Sequence, residues 1–468
     1  MSQNLLLKTD SYKFTHHLMY PPGTTCVRSY LESRGGFFDN TVFFGLQYYL
    51  KEYLSGLVFK ASDIQEASVF ANAHFGNPRI FNHKGWTDLY TKYQGRLPVR
   101  IKAVKEGSVI PIHNVLMTIE NTDPDFPWLT NYLETLLLKV WYPITVCTLS
   151  REIKKVIGKA LHRTGTPSLL PFKLHDFGYR GVSSEETAAI GGAAHLVNFQ
   201  GTDTIAGITF LSEYYDSESM PGYSIPATEH STITIWGESR ECVAYENLLN
   251  VYPEGMVACV SDSWDVERAV REYWGDTLRE KIMQRNGTLV IRPDSGDPVK
   301  VLSKVFNIIA ERFGSEVNSK GWRVFPSCVR VIQGDGVNYH SILNMVSQLT
   351  REGWSMDNWG FGMGGALLQQ LNRDTQNFAI KCSSATINGR DVDVSKKPTT
   401  DPSKASKPGR LALLSMGNGR YSTVPVPNGH EYLPGDLLET VFEDGDIKLT
   451  YNLGEIRRRA DISEAELQ

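Results

Sequence analysis

Arg292 and Asp294 stand two residues apart in LVIRPDSGD, directly after an apolar run. A guanidinium there can clamp a phosphate, and the carboxylate can hold ribose hydroxyls or Mg2+. An isolated Arg-Pro-Asp turn is usually structural, but this one has companions of the same build. Asp262 lies in VSDS, and the glycines of Gly334-Asp335-Gly336 let backbone approach a ligand closely. His230 sits in TEHST between Glu229 and Ser231, where an imidazole can reach an anion. It has no cysteine partner and no HExxH helix, which argues against metal ligation. No GxSxG elbow supports a Ser-His-Asp hydrolase, and no GxxxxGK[ST] supports a P-loop. Gly360-Phe361-Gly362-Met363-Gly364-Gly365 matches GxGxxG, but no acidic residue follows about 20 positions later to bind a dinucleotide ribose. A turn whose amides hold a phosphate before a helix over ALLQQL fits better than tight packing alone.

The elements that must position these residues share one grammar. KLHDFGYRG (173–181), NFQGTDT (198–204), SIPATEHS (224–231), VACVSDSWD (257–265), LVIRPDSGD (289–297), VRVIQGDGV (329–337) and NWGFGMGGALLQ (358–369) are apolar runs that break into polar and glycine residues. Such a run predicts a buried strand, and the polar burst marks its end. The bursts recur roughly every 25–40 residues, the length of a strand-helix unit. That repetition predicts a parallel α/β barrel, whose chemistry collects at the carboxyl ends of its strands. The residues alone describe a barrel enzyme acting on a phosphorylated sugar, with an aldolase or an isomerase as alternatives. Helices should follow several bursts, with Ser183–Glu186 as a capping box and Asp265 as a cap.

The first ~150 residues differ. They are aromatic-rich, with helical signals over 51–75, 128–143 and 151–165 and β alternation over 97–122. Residues 391–410 are polar, basic and rich in Pro and Ser, and read as a mobile linker or a loop that orders on an anion. The tail reads as short strands and one helix.

At 468 residues the prior is two domains. Hydrophobic residues make up 41%, enough for a large core, and the formal net charge of −4 comes without a long basic block. Nucleic acid is therefore not expected as a partner. The six cysteines form no CxxC pair or zinc-finger spacing. Residues 1–10 lack the length of a signal peptide, and no apolar run is long enough for a membrane span. A reducing cytoplasm is the expected compartment.

TDSYKFTHHLMYPPGT, IENTDP, WYPITVCTLSRE, KLHDFGYRGVSS, HLVNFQGTDT, PGYSIPATEHSTITIWG, VSDSWD, IRPDSGDP, VIQGDGV and FGMGGALLQ occur in this order along nearly the whole chain. Together they resemble the nicotinamide phosphoribosyltransferases. Near 35–40 this chain lacks the longer, charged insertion of the animal enzymes and looks like the shorter microbial form. The resemblance implies an irregular parallel α/β barrel of the type II phosphoribosyltransferase kind. It also implies a mixed α+β domain built from N- and C-terminal segments. The barrel domain is expected over 1–28, 119–130 and 173–370, and the mixed domain over 29–118, 131–172 and 371–468.

The implied reaction joins nicotinamide to phosphoribosyl pyrophosphate (PRPP), giving nicotinamide mononucleotide and pyrophosphate in NAD salvage. By the same resemblance Phe177 stacks on the pyridine ring, Tyr12 of a second subunit covers its other face, and Arg180 borders ring and phosphates. Asp203 accepts from the carboxamide and would repel the carboxylate of nicotinate. Arg292 and His230 belong to the phosphates, and Asp294 to the ribose. Gly334, Asp335, Gly364 and Gly365 cradle the 5-phosphate. Arg34, Arg373, Lys381 and Lys396 reach pyrophosphate, partly across a homodimer interface. Asp262 and Asp294 are the Mg2+-side carboxylates. ATP hydrolysis is implied to couple to synthesis through phosphorylation of His230. The alternatives are a nicotinate phosphoribosyltransferase and a non-catalytic binding or signalling protein on the same fold.

Overall fold

The computed structural model describes residues 4–217, 219–401, 404–427, 429–430 and 432–467. The chain forms two compact units. One comprises Met1–Thr148, Glu213–Asp216 and Asn372–Ala460; the other comprises Leu149–Ser212, Ser217–Leu371 and Asp461–Gln468.

The second unit contains the barrel. Its six parallel strands run in the order Gly201–Thr202, Leu174–Asp176, Trp359–Met363, Val329–Gln333, Asn286–Arg292, Glu254–Val260. Residues 223–227 close the ring. Tyr223 bridges Gly201 and Ala227 bridges Ala258, both in parallel. The closing bonds run from Thr202 N–H to Tyr223 O (3.0 Å) and from Ala258 N–H to Pro226 O (2.9 Å). Pro226 has no N–H to add, so this segment stays irregular. Every polar burst read from the sequence lies at the carboxyl end of a member of this ring. Strand residues such as Val257, Cys259, Leu289, Ile291 and Val331 are buried. Burial on both faces explains why these strands read as continuous apolar runs. Ala258, Val290 and Ile332 form one apolar cluster, against which Phe177 and Ile225 pack.

Several helices start as the sequence suggests. Ser184, one residue after the first serine of the expected box, caps Glu185–Leu196 by accepting from Thr187 N (3.1 Å), and Asp265 accepts from Arg268 N (3.0 Å) as expected. After the glycine motif the helix is shorter than expected, covering only Gly365–Leu368. The stretch expected over 128–143 breaks into Leu129–Tyr132 and Glu134–Leu138, and the one expected over 151–165 belongs to a longer helix, Trp141–Thr164.

The first unit holds a seven-stranded antiparallel sheet in the order Arg390–Asp393, Phe378–Ile387, Thr24–Ser33, Val115–Asn121, Val99–Ala103, Glu439–Glu443, Asp446–Ile447. This corrects the expected domain division. Residues 24–28 and 119–121 cannot belong with the barrel, because Thr24–Ser33 pairs with Val115–Asn121 inside this sheet. Residues 149–172 and 461–468 join the barrel unit instead, where Arg151 bonds Glu466 at 2.9 Å and the Asp461 carbonyl at 3.0 Å. The tail carries two short helices, Leu453–Ala460 and Glu464–Leu467, where one was expected. No helix among the described residues is long and apolar enough to cross a membrane.

Candidate functional site

The carboxyl ends of the barrel strands bring most of the expected residues together. Arg292 ends its strand, and its guanidinium grips Asp294 through Nε–Oδ1 (3.0 Å) and Nη2–Oδ2 (2.7 Å). The pair is half-buried, so its two-bond geometry is stronger than a single exposed ion pair. Gly334 makes this approach possible. A Cβ at that position would lie 2.9 Å from both Arg292 Nε and Asp294 Oδ1. Asp335 is exposed at the following turn, where its carbonyl accepts from Gln333 Nε2 at 2.8 Å.

Phe177 follows the Leu174–Asp176 strand, and its N–H donates to Met363 O (2.9 Å). The Arg292 guanidinium lies 5.4 Å from the Phe177 ring centroid. Gly362 lies against the same ring; a Cβ there would stand 1.9 Å from Phe177 Cε2. This glycine, the second of the GxGxxG motif, leaves room for the aromatic side chain. Gly364 caps the short helix that begins at Gly365, and Gly181 allows close approach there, since its own Cβ would stand 3.4 Å from Gly365 N. Arg180 is exposed on the Tyr179–Gly181 turn.

Asp203 is exposed, with its N–H bonded to the carbonyl of Asp176, the residue before Phe177 (2.9 Å), and its carboxylate accepting from the Ser224 hydroxyl. Ser224 was not singled out from the sequence, although it lies in a recognised burst. Asp176 is fully buried, and its Oδ1 accepts from Gly178 N at 2.7 Å. That bond shapes the turn that presents Phe177. Asp176 Oδ2 sits close to the Thr204 hydroxyl without a full hydrogen bond. Burial pushes the Asp176 carboxyl up to about 6. Burial also lowers the pKa of His175, with the Asp203 charge opposing that shift.

His230 opens a short helix, and its Nε2 lies 3.0 Å from Asp262 Oδ1. The His230 side chain is 47% exposed and that of Asp262 5%, so a sheltered carboxylate orients an accessible imidazole. Glu229 accepts from Ser231. The loop carrying Asp262 is itself pinned: Ser261 N–H donates to Arg292 O (2.9 Å), and Trp274 Nε1–H donates to Ser261 Oγ (3.0 Å). No group of three or more His, Cys, Asp or Glu among the described residues makes a metal cage. Asp262 and Asp294 already engage His230 and Arg292. They fit a Mg2+ that keeps its waters and binds mainly substrate phosphate oxygens.

The remaining expected residues lie in the other unit. There Arg34, Lys396 and Arg373 each lie close enough to Lys381 for their charges to act on it. Burial lowers the Lys381 pKa; Glu134 opposes that shift, and the three neighbouring cations add to it. Arg373 also pairs with Asp374 at 2.9 Å. Tyr12 is 56% exposed and meets the His16 ring edge-on at 4.8 Å. The 391–410 stretch, expected as a linker or ligand-ordered loop, contains strand residues to Asp393 and is bonded to the sheet at Ser383, which accepts from Val394 N and Gly409 N. Its Pro402 and Ser403 lie outside the described residues.

Residues 172–446 match the model of the nicotinate phosphoribosyltransferase family, and residues 4–101 match that of the nicotinamide phosphoribosyltransferase N-terminal domain. The chain is 51% identical over 465 residues to a nicotinamide phosphoribosyltransferase of Xanthomonas campestris, covering 98% of each protein. It is 31% identical to the enzyme of that name from Acinetobacter baylyi, covering 97% of each. Among solved structures, the Pyrococcus furiosus nicotinate-nucleotide pyrophosphorylase shares the fold at a TM-score of 0.61 and 16% identity, covering 98% of this chain and 95% of that one. Human nicotinic acid phosphoribosyltransferase does so at 0.53 and 16% identity, covering 97% and 92%.

Proposed function

The chain belongs to the nicotinamide phosphoribosyltransferase family, and we propose a division of labour among its residues for transferring the 5-phosphoribosyl group of PRPP to nicotinamide. The reaction yields nicotinamide mononucleotide and pyrophosphate in NAD salvage. Phe177 supplies one face of the pyridine site, and Tyr12 of a second subunit supplies the other. Asp203, held by Ser224, accepts a hydrogen bond from the carboxamide. The observation that supports this reading is the Asp203 N–H bond to the carbonyl of Asp176, the residue before Phe177, with the Asp203 carboxylate accepting from Ser224. A nicotinate carboxylate there would face a like charge, at a cost of several kcal/mol.

Arg292 and Arg180 stabilise the phosphates, and Asp294 holds the ribose hydroxyls. Gly334, Asp335, Gly364 and Gly365 form the 5-phosphate cradle. Arg34, Arg373, Lys381 and Lys396 receive pyrophosphate at a site shared between the subunits of a homodimer. As pyrophosphate leaves C1, positive charge develops on the ribose, and the pyridine nitrogen attacks the opposite face with inversion. No covalent nucleophile is required; orientation and preorganised charge lower the barrier. Asp262 and Asp294 would help to hold a Mg2+ brought in with PRPP, which would supply neutralisation of phosphate charge. ATP is a coupled substrate that phosphorylates His230, whose ring Asp262 orients. No disulfide joins any of the six cysteines, and the proposed compartment is the cytoplasm.

The test is mononucleotide formation from nicotinamide and from nicotinate, each with and without ATP, on the native chain and on His230→Ala. Nicotinamide should be strongly preferred. In the variant, ATP hydrolysis and ATP stimulation should disappear while some synthesis survives. A preference for nicotinate would overturn the Asp203 assignment. ATP stimulation persisting in folded His230→Ala would remove His230 from the coupling.

A further inference from the structure

The three cations around Lys381 include one, Lys396, that is exposed on the 391–410 loop rather than in the sheet. A lysine on an exposed loop is a poor ligand unless something fixes the loop. Its backbone is fixed to Ser406, since Lys396 N–H donates to Ser406 Oγ (3.0 Å) and Ser406 N–H donates to Lys396 O (3.1 Å). The next residue, Lys407, reaches into the sheet and forms an ion pair with Glu32. Glu32 is buried, and its Oε1 also accepts from the Tyr30 hydroxyl at 3.2 Å. Tyr30 is buried as well, and its hydroxyl oxygen accepts from Lys407 N–H at 2.8 Å. Glu32 and Tyr30 thus hold both the side chain and the backbone of Lys407. A buried carboxylate with a single ionic partner strongly resists losing it.

We propose that Glu32, Tyr30 and Lys407 form a clamp that holds the loop so that Lys396 stands beside Lys381 and Arg34, ready for the pyrophosphate end of PRPP. Lys407 and Glu32 are positioning residues; neither touches substrate. This inference rests on the assignment of Lys396 to the pyrophosphate site.

The variants are Lys407→Met, Lys407→Arg and Glu32→Gln. Two measurements are made on each full-length protein: the rate of tryptic cleavage after Lys396 and Lys404, located by mass, and the KM for PRPP and for nicotinamide. Lys407 precedes Pro408, so its replacement removes no efficient cleavage site. Lys407→Met should speed cleavage at both sites and raise the KM for PRPP about tenfold, as loss of a charge-assisted bond would. The KM for nicotinamide should stay within about twofold under the same argument. Lys407→Arg should restore most of the protection. Glu32→Gln should behave like Lys407→Met if it folds, and the surface variant carries the test if it does not. Unchanged cleavage in Lys407→Met overturns the clamp whatever the kinetics. Faster cleavage with an unchanged KM for PRPP leaves the anchor in place but overturns its positioning role and the Lys396 assignment together.

Discussion

Gly362→Ala tests the proposed pyridine site without touching a charged group. The new methyl would stand 1.9 Å from Phe177 Cε2, 2.2 Å from Cδ2 and 2.7 Å from Cζ. Ordinary carbon contacts need about 3.5 Å or more, so something must withdraw by about 1.5 Å. The backbone resists, because Gly362 lies in a strand whose register is set by pairing with His175 on one side and Val329–Gln333 on the other. The aromatic ring yields instead. Displacing a positioning group by about 1 Å can cost about 100-fold in rate. Lost stacking adds about 0.5–1.5 kcal/mol. The kcat/KM for nicotinamide at saturating PRPP should therefore fall at least about 100-fold, and overpacking should reduce stability by about 1–3 kcal/mol. The informative comparison is Gly362→Ala with Phe177→Ala and the double variant. Once the ring is gone the methyl loses the three atoms it would strike first, so the double variant should be no less active and no less stable than Phe177→Ala. Near-native turnover in Gly362→Ala, or a double variant carrying the summed losses of both, would refute the argument that this glycine serves the ring.

Asp203→Asn should retain nicotinamide turnover, since a carbonyl acceptor remains, while the kcat/KM ratio of nicotinamide to nicotinate narrows; an unmoved ratio would mean another group selects the substrate. Mixing inactive Tyr12→Ala and Asp294→Ala chains should restore part of the activity in heterodimers, because one shared site is then intact; no recovery after verified subunit exchange counts against shared sites. Asp176→Asn probes a buried charge. Burial holds this carboxyl at about 6, above its ordinary 3.8. The folded chain therefore keeps a proton that the unfolded chain releases, and this group's contribution to stability falls as pH rises from about 4 to 6. Asn keeps the acceptor for Gly178 and removes the charge, so urea unfolding at pH 7 should show stabilisation of up to about 3 kcal/mol, with little gain at pH 4. Glu106, which burial also raises to about 6, leaves a residual slope in the same window. Equal or lower stability of the variant at pH 7 would show that the carboxylate is well accommodated.

Much of the barrel was legible because buried parallel strands impose a local rule. Val257–Val260 and Leu289–Ile291 are buried throughout, so their residues must be apolar, and the chain turns polar where each strand ends. The grouping of Phe177, Asp203, Arg292 and Asp294 at strand ends follows from the same rule, because parallel strands in one ring end on one side. The domain boundaries were less legible. Helical or alternating patterns tell a segment how to bury a face but not which sheet will receive it, and Thr24–Ser33 joined Val115–Asn121 and Phe378–Ile387. The closing segment at 223–227 was recognised as a strand end, although its Pro226 and isolated bridges make it barely a strand.

Partner choice within the site belonged to the tertiary structure. Asp262 was legible as a carboxylate at a strand end, but its bond to His230 depends on two bursts becoming neighbours in the ring. Gly362 belonged to a visible motif, yet its purpose depends on a phenylalanine from another strand. Glu32 and Lys407 are 375 positions apart, and neither sits in a motif. Sequence by itself determined which residues end strands, because burial constrains each strand locally. Which charge meets which was decided only when the folded backbone removed them from water and left each buried group the partners that the sheet and its loops brought within reach.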